Sequence, residues 1–400
     1  MKIVFLSNYI NHHQLPFCNS MYEKLKGDFV FIQTEPMEQE RKDMGWSNDI
    51  STIPYLKCLY EEEELCNRLI LECDVLIAGW TTRLDKVIER MKRNKLTIRI
   101  YERIYREGQW KAISPKGLLA KYKEHVKFRK GPAYLLCAGA YVASDFNLIK
   151  AYPDKMYKFG YFPEVKKYDF DKLMEKKNAD GIIRIIFAGR FMPLKHPEFA
   201  IKLAADLKST EGIPDYEIHM VGSGELDSDL KKLAADMNVE DKVTFYGFRT
   251  PEEVREVMEK CHIQLFTSNC LEGWGAVVNE AMNSGCVPVA SVNAGAVPYL
   301  IKQNQNGIAY ENDDYLKMKE AVIFLLKNSD NRYKMAENAY NTIINLWNSD
   351  VAADRLLNMI DGWIKGENNP PAEGPLSKAP IIAPSKMFRY MEKMGQAGDD

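Results

Sequence analysis

The densest run of chemistry-bearing residues lies between Ser268 and Gly295, SNCLEGWGAVVNEAMNSGCVPVASVNAG. Glu272 and Glu280 stand eight positions apart, one in the loop after an apolar run and one on the helix beyond it. Gly273 and Gly275 lie between them and leave the backbone uncrowded where that helix begins, so N–H groups there can receive an anion. A carboxylate on each side of an anion cradle suits a ligand with hydroxyls at both ends and phosphate in the middle, such as a nucleotide sugar. The same letters also describe an ordinary turn, with Glu280 as a capping or salt-bridging residue.

A second cluster is GRFMPLK, where Arg190 and Lys195 flank a turn that begins at Gly189. It falls at the carboxyl end of an apolar run, the edge at which open α/β sheets bind ligands. A planar guanidinium fork and a point-charged ammonium suit a diphosphate, and they equally suit two solvated loop charges. VGSGEL, with Gly222 and Gly224, is a third turn after a strand and reads as nucleotide contact or plain turn. In the first half, His12 and His13 in NYINHHQLP and Glu102 and Arg103 in IYERIYREG also follow predicted strands. One His as a helix cap and one exposed is the alternative there. Asp227-Ser228-Asp229 spells a metal triplet but opens a helix, where capping is the simpler role, so no metal site is expected. The eight Cys have no CxxC and no recurring spacing, which predicts buried reduced thiols rather than disulfides or zinc.

These residues need a scaffold, and the hydrophobic pattern supplies one. Short apolar runs alternate with segments of helical period, the mark of α/β domains with parallel sheets. In the first half, strands are predicted at Lys2–Ser7, Phe29–Thr34, Asp74–Ala78 and Leu96–Tyr101, and YLLCAGAYVASDFNLI closes the half. From Ile182 onward the order is βαβαβαβαβ, the doubly wound pattern. Tyr161–Ala179, polar and rich in Lys and Asp, marks the boundary. The expected domains are 1–165, 166–365 and a tail at 366–400, whose five Pro between Pro370 and Pro384 predict an extended linker before a short amphipathic helix. No window holds the ~18 uninterrupted apolar residues of a spanning helix.

Charge is divided unevenly over the 400 residues. Residues 1–200 carry 34 Lys+Arg against 26 Asp+Glu, whereas the rest carries 20 against 30. Lys86–Lys130 alone holds 15 basic and 4 acidic residues. The stretch Lys116–Lys130 mixes this charge with Leu118, Leu119, Tyr122, Val126 and Phe128. It reads as a solvated helix face or as an interfacial helix on anionic lipid. The acidic second half and the lack of a reader motif argue against nucleic acid.

Taken in order, the clusters of the second half resemble the retaining glycosyltransferases of family four. EGWGAVVNEAMNSG is similar to the family's E-x7-E signature, GRFMPLK to its GR-x4-K phosphate site, and LWNSDVAADRLLNMI to its closing helix. SVNAGAVPYLI is similar to its S-x-x-G-G continuation, with Ala294 in place of the first Gly. This likeness covers about Ile182 to Lys365. NHHQ-x-P, YERIYREG, LLCAGAY and KFGYFPE resemble polysaccharide-cluster (capsule or exopolysaccharide) glycosyltransferases over much of residues 8–164. The resemblance implies the GT-B fold, two Rossmann-like doubly wound domains facing a cleft, and a transferase acting without cofactor or metal. It implies a nucleotide-diphosphate sugar, UDP-linked by preference, as donor and a glycan or lipid-linked glycan as acceptor, with a cytoplasmic enzyme at the inner membrane face. By the same resemblance Glu272 contacts the transferred sugar, Glu280 the ribose, and Arg190 and Lys195 the diphosphate. Backbone N–H groups from Trp274 through Gly275 and Ala276 to Val277 assist, Phe248 lies near the base, and His13 with His12, Glu102 and Arg103 serves the acceptor side. Two other readings stand beside it: a nucleotide-sugar-binding protein without transfer activity, and a GT-B sugar-nucleotide epimerase. No GxGxxG opens either half, which argues against a redox Rossmann enzyme.

Overall fold

The structure is a computed structural model that describes residues 1–39, 41, 50–311 and 314–396. It divides into two compact units, residues 1–164 with 347–383, and residues 165–346 with the chain from Pro384 onward.

The first unit holds a seven-stranded sheet: β1 (Ile3–Ser7), β2 (Phe29–Gln33), β3 (Leu56–Cys58), β4 (Val75–Ala78), β5 (Thr97–Tyr101), β6 (Ala133–Ala138) and β7 (Met156–Phe159). The strand order is β3-β2-β1-β4-β5-β6-β7, with every pair parallel. All five residues of β1 are buried, as expected where helices cover both faces of a parallel sheet. The strand order reverses between β1 and β4, where Asn8 N–H donates to Trp80 O at 2.7 Å. The second unit holds β8 (Ile183–Ala188), β9 (Tyr216–Val221), β10 (Val243–Gly247), β11 (Ile263–Phe266), β12 (Val287–Ser291) and β13 (Ile308–Tyr310). Their order is β10-β9-β8-β11-β12-β13, again parallel throughout, with the reversal between β8 and β11. Two doubly wound Rossmann-like units are therefore present, as the alternation predicts.

The expected domain limits need correction at the end of the chain. Helix Ser349–Lys365, expected in the second domain, packs in the first unit. Asp354 pairs with Lys24 at 2.8 Å, Ser20 Oγ donates to Asp350 at 2.6 Å, and the Trp363 ring stacks on Tyr134 at 3.9 Å. An amphipathic pattern shows that a helix buries a face; it does not say against which sheet. The Pro-rich stretch is not a free linker either. Pro375 and Pro380 bracket four residues that keep their N–H groups, and these pair with the edge strand β7. Leu376 N–H donates to Lys158 O, Lys158 N–H to Ser377 O, and Ala379 N–H to Met156 O, at 2.8, 2.8 and 3.1 Å. Helix Met387–Gln396 then sits in the second unit, where Gln305 Nε2 donates to Gly395 O. Residues 397–400 of the expected tail lie outside the described residues.

Two further differences concern basic segments. Within Tyr161–Ala179 a helix forms at Phe170–Asn178, and the fully buried Lys177 donates to the carbonyls of Cys261, Ser284 and Gly285. Lys116–Lys130 is not one helix: the helix is Pro115–Glu124, followed by a 3₁₀ turn that sends His125 and Phe128 into the core. All eight cysteines are unpaired thiols and seven are buried, as their scattered spacing predicts.

Candidate active site

In the second unit the loops after β8, β9, β10 and β11 meet at the carboxyl edge of the sheet. The centre is an ion pair across the strand-order reversal: Lys195 Nζ lies 2.5 Å from Glu272 Oε2. With side chains only 17% and 18% exposed, the pair is drier than a surface salt bridge and correspondingly stronger. Ser268 Oγ donates to the same carboxylate oxygen at 3.2 Å. The turn that carries Lys195 is pinned to the end of β11. Thr267 Oγ1 donates to Lys195 O at 2.5 Å and to His196 O at 3.2 Å, and Asn269 N–H donates to Leu194 O at 2.8 Å. Sequence reasoning overlooked Ser268 and Thr267, because hydroxyl residues at a strand end carry no distinctive spacing.

The glycines set how closely these loops approach. Gly222 has φ +141°, and a Cβ built there would stand 1.9 Å from Gly189 O, so only glycine lets the two turns touch. Gly224 lies against the same loop, where Phe191 N–H donates to Ser223 O and Leu226 N–H to Phe191 O. Arg190 is exposed beside this contact, and Phe248, exposed, follows Gly247, whose carbonyl accepts from Gly222 N–H. Gly275 has φ +90°, and a Cβ there would strike the Phe266 ring at 2.5 Å. Trp274 is a buried peg whose Nε1–H donates to Asn279 Oδ1 at 2.9 Å, leaving only its backbone for a ligand. The loop beyond β12 braces the segment: Gly295 N–H donates to Gly273 O and Ala296 N–H to Trp274 O. Helix Val277–Asn283 starts at Ala276 without a side-chain cap.

Glu280 sits one turn into that helix. Burial pushes its carboxyl up to about 7 from 4.5, against the opposing pull of the Arg255 guanidinium. Arg255 Nη1 donates to Asn283 Oδ1 at 2.7 Å and to Glu280 O at 3.3 Å. Lys177 closes the far end of the same helix. Its ammonium takes Ser284 O and Gly285 O, where the helix dipole is negative, and so fixes the axis along which Glu280 is presented. Asp227 accepts from Gly224 N–H at 3.1 Å and so closes the turn before helix Asp227–Asp236; the expected helix cap is not formed, because that helix starts at Leu226 with no side-chain cap.

In the first unit the predicted acceptor-side residues fall into two groups. The His12 and His13 rings lie 3.7 Å apart, and His13 stacks on Tyr161 at 6.0 Å with the planes 6° apart. Tyr161 Oη donates to Glu102 Oε1 at 2.5 Å, and Arg106 takes the other oxygen of that carboxylate. The loops after β1, β5 and β7 thus share one cluster, and Tyr161 and Arg106 were missed because no motif joins them to the histidines. Burial lowers His12 to about 4 and His13 well below its usual range, so both rings are neutral at physiological pH. Arg103 is engaged elsewhere. It pairs with the fully buried Asp145 at 3.3 Å and lies over the Tyr141 ring, and Asp145 also accepts from Tyr105 N–H and Gln109 Nε2. It shapes the loop that carries Glu102.

Among the described residues no group of three or more His, Cys, Asp or Glu could hold a metal ion, and no helix is long and apolar enough to cross a membrane.

Two parallel doubly wound units, each with its loops at the carboxyl edge, have the fold of GT-B glycosyltransferases. Residues 169–342 match the family model for glycosyl transferases group 1, and that stretch contains every residue of the second-unit site. The chain is 31% identical to the glycosyltransferase YqgM of Bacillus subtilis over 36% of its own length and 38% of that protein's. It is 33% identical to the amylovoran biosynthesis glycosyltransferase AmsK of Erwinia amylovora over 33% of each chain. The match thus spans little more than a third of these relatives. Over the whole fold it is similar to Anabaena HepE, solved in complex with UDP, with a TM-score of 0.67, 14% identity, and coverage of 90% of this chain and 100% of that one.

Proposed function

We propose that this chain transfers a sugar, with retention of configuration, from a UDP-sugar to a hydroxyl of a lipid-linked glycan in surface polysaccharide synthesis. The observation that carries the reading is the Lys195–Glu272 pair at the β8/β11 reversal, beside the Gly189/Gly222 contact. UDP in HepE and the amylovoran role of AmsK support the donor and the pathway class. On donor binding the pair opens: Lys195 turns to the diphosphate with Arg190, and Glu272 accepts from sugar hydroxyls. Glu280 accepts from the ribose, and Phe248 borders the base. The acceptor oxygen attacks the anomeric carbon on the face from which the diphosphate leaves. The C–O bond to the diphosphate breaks, and the acceptor proton passes to the departing phosphate oxygen. Cationic side chains neutralise the leaving group, so neither cofactor nor metal is required in this scheme. His13 and His12, being neutral, would position the acceptor by hydrogen bonds, beside Glu102 and Tyr161.

The test is a thermal-shift screen of UDP-, GDP- and ADP-sugars, followed by nucleoside diphosphate release with and without glycan acceptors. Stabilisation by a UDP-sugar and acceptor-dependent release are expected. Binding without acceptor-dependent release, or conversion of the donor with no acceptor present, would overturn transfer.

A further inference from the structure

Helix Pro115–Glu124 in the first unit buries none of its ten residues. A helix this short is marginal alone in water, so something other than its flanks holds it. Its two ends do. Ser114 caps the start, accepting from Gly117 N–H, and Pro115 occupies the first turn. At the other end Glu124 receives the Tyr101 hydroxyl and lies 3.4 Å from the fully buried Arg99 and 3.2 Å from His125 Nε2. His125 Nδ1 in turn meets the Tyr152 hydroxyl at 2.8 Å. The helix is clamped to the core by its ends while its sides face outward.

Those sides are not polar. Leu119 and Tyr122 are 54% and 52% exposed, and Leu118 is exposed beside them. The turn just before the helix adds Trp110 at 67% and Ile113 at 79%. Five large apolar side chains between residues 110 and 122 are more than the scattered singles of an ordinary surface. From Gly108 to Lys130 the chain carries seven cations, Lys111, Lys116, Lys121, Lys123, Lys127, Arg129 and Lys130. The one carboxylate of that stretch, Glu124, is taken up by the core.

We propose that this face docks on an anionic lipid bilayer, with Trp110, Ile113, Leu118, Leu119 and Tyr122 entering the interface and the lysines meeting headgroup phosphates. Charge decides the occupant: a second copy would set seven cations against seven, whereas an anionic surface complements them. The docking does not rest on the transferase reading, because it needs no sugar donor.

The test is co-sedimentation of the full chain with phosphatidylcholine vesicles, with and without phosphatidylglycerol. Binding only to the phosphatidylglycerol vesicles is expected, with a blue shift of tryptophan emission. Trp110→Ser with Ile113→Ser should weaken binding by at least about tenfold and remove the shift. Lys116→Gln with Lys123→Gln should weaken it less and reduce its salt dependence. Trp80→Ser, which removes an isolated exposed tryptophan, should leave it unchanged. Unaltered melting temperatures show that the variants fold. Equal binding to both vesicle types, equal binding by the Trp110/Ile113 variant, or wild-type self-association that this variant abolishes would overturn the proposal.

Discussion

The carboxyl edges of the two sheets are built by different means. In the second unit the loops are held by backbone. Gly222 lies on Gly189 O, Gly275 fits under Phe266, and Thr267 bonds the carbonyls of the turn that carries Lys195. In the first unit the corresponding cluster is built by side chains, His13 on Tyr161 and Tyr161 on Glu102. Backbone contacts of this kind admit almost no substitution, which suits a pocket for an invariant group such as a diphosphate. Stacked rings and a hydroxyl can be exchanged without moving the chain, which suits a site whose ligand differs from one transferase to another.

Variants on each side test this contrast. The largest effect is expected from Glu272→Ala and from Lys195→Ala. Each should lower turnover by about 10²–10³-fold while the melting temperature holds, because transition-state charge loses its partner. Full activity in both would remove the second-unit site from the reaction. Gly222→Ala should cost on the order of 3 kcal/mol in denaturant unfolding and abolish nucleotide binding, since the new methyl occupies the space of Gly189 O. Wild-type stability in that variant would show that the turns have room to part.

The pH response of Glu280 comes next. Its carboxyl is raised from 4.5 to about 7, so the folded chain holds this proton more tightly than the unfolded one. The stability that proton confers is present at low pH and is lost as pH rises from 4.5 through 7. Nucleotide affinity should move the opposite way, increasing severalfold between pH 6 and pH 8 as the carboxylate proposed to hold the ribose forms. Titration calorimetry at several pH values checks this, and Glu280→Gln should flatten the profile. Tyr161→Phe is expected to act least. It should raise the acceptor KM by about threefold to tenfold and leave donor affinity unchanged, because one hydrogen bond to Glu102 is lost. A change in donor affinity would mean that the two clusters are not separate.

The same contrast explains what could be read from sequence. Glu272 with Glu280, and Arg190 with Lys195, each lie within a short stretch whose spacing is set by a strand, a turn and a helix, so each stretch is legible by itself; that Lys195 meets Glu272 depends on β8 lying beside β11. His13, Tyr161 and Arg106 come from three loops far apart in sequence, and only the strand order of the first sheet unites them. Lys177 looked like part of a solvated, Lys-rich connector. Its burial depends on the carbonyls of Cys261, Ser284 and Gly285, which no local pattern reveals. The helix Ser349–Lys365 was visible as a helix, but its partner was not, because Lys24 and Tyr134 are more than 200 residues away.

That last helix has a consequence for biosynthesis. The stretch from 165 to 346 is continuous, so most of the second unit is complete once the ribosome has released residue 346. The first unit then still lacks 347–383, including the helix that covers Tyr134 and the strap along β7. The part of the chain made first therefore waits for residues 347–383, and until then it exposes an unpaired strand edge. Nascent chains stalled with residue 346 just clear of the ribosome should show protease resistance in 165–346 and sensitivity in 1–164.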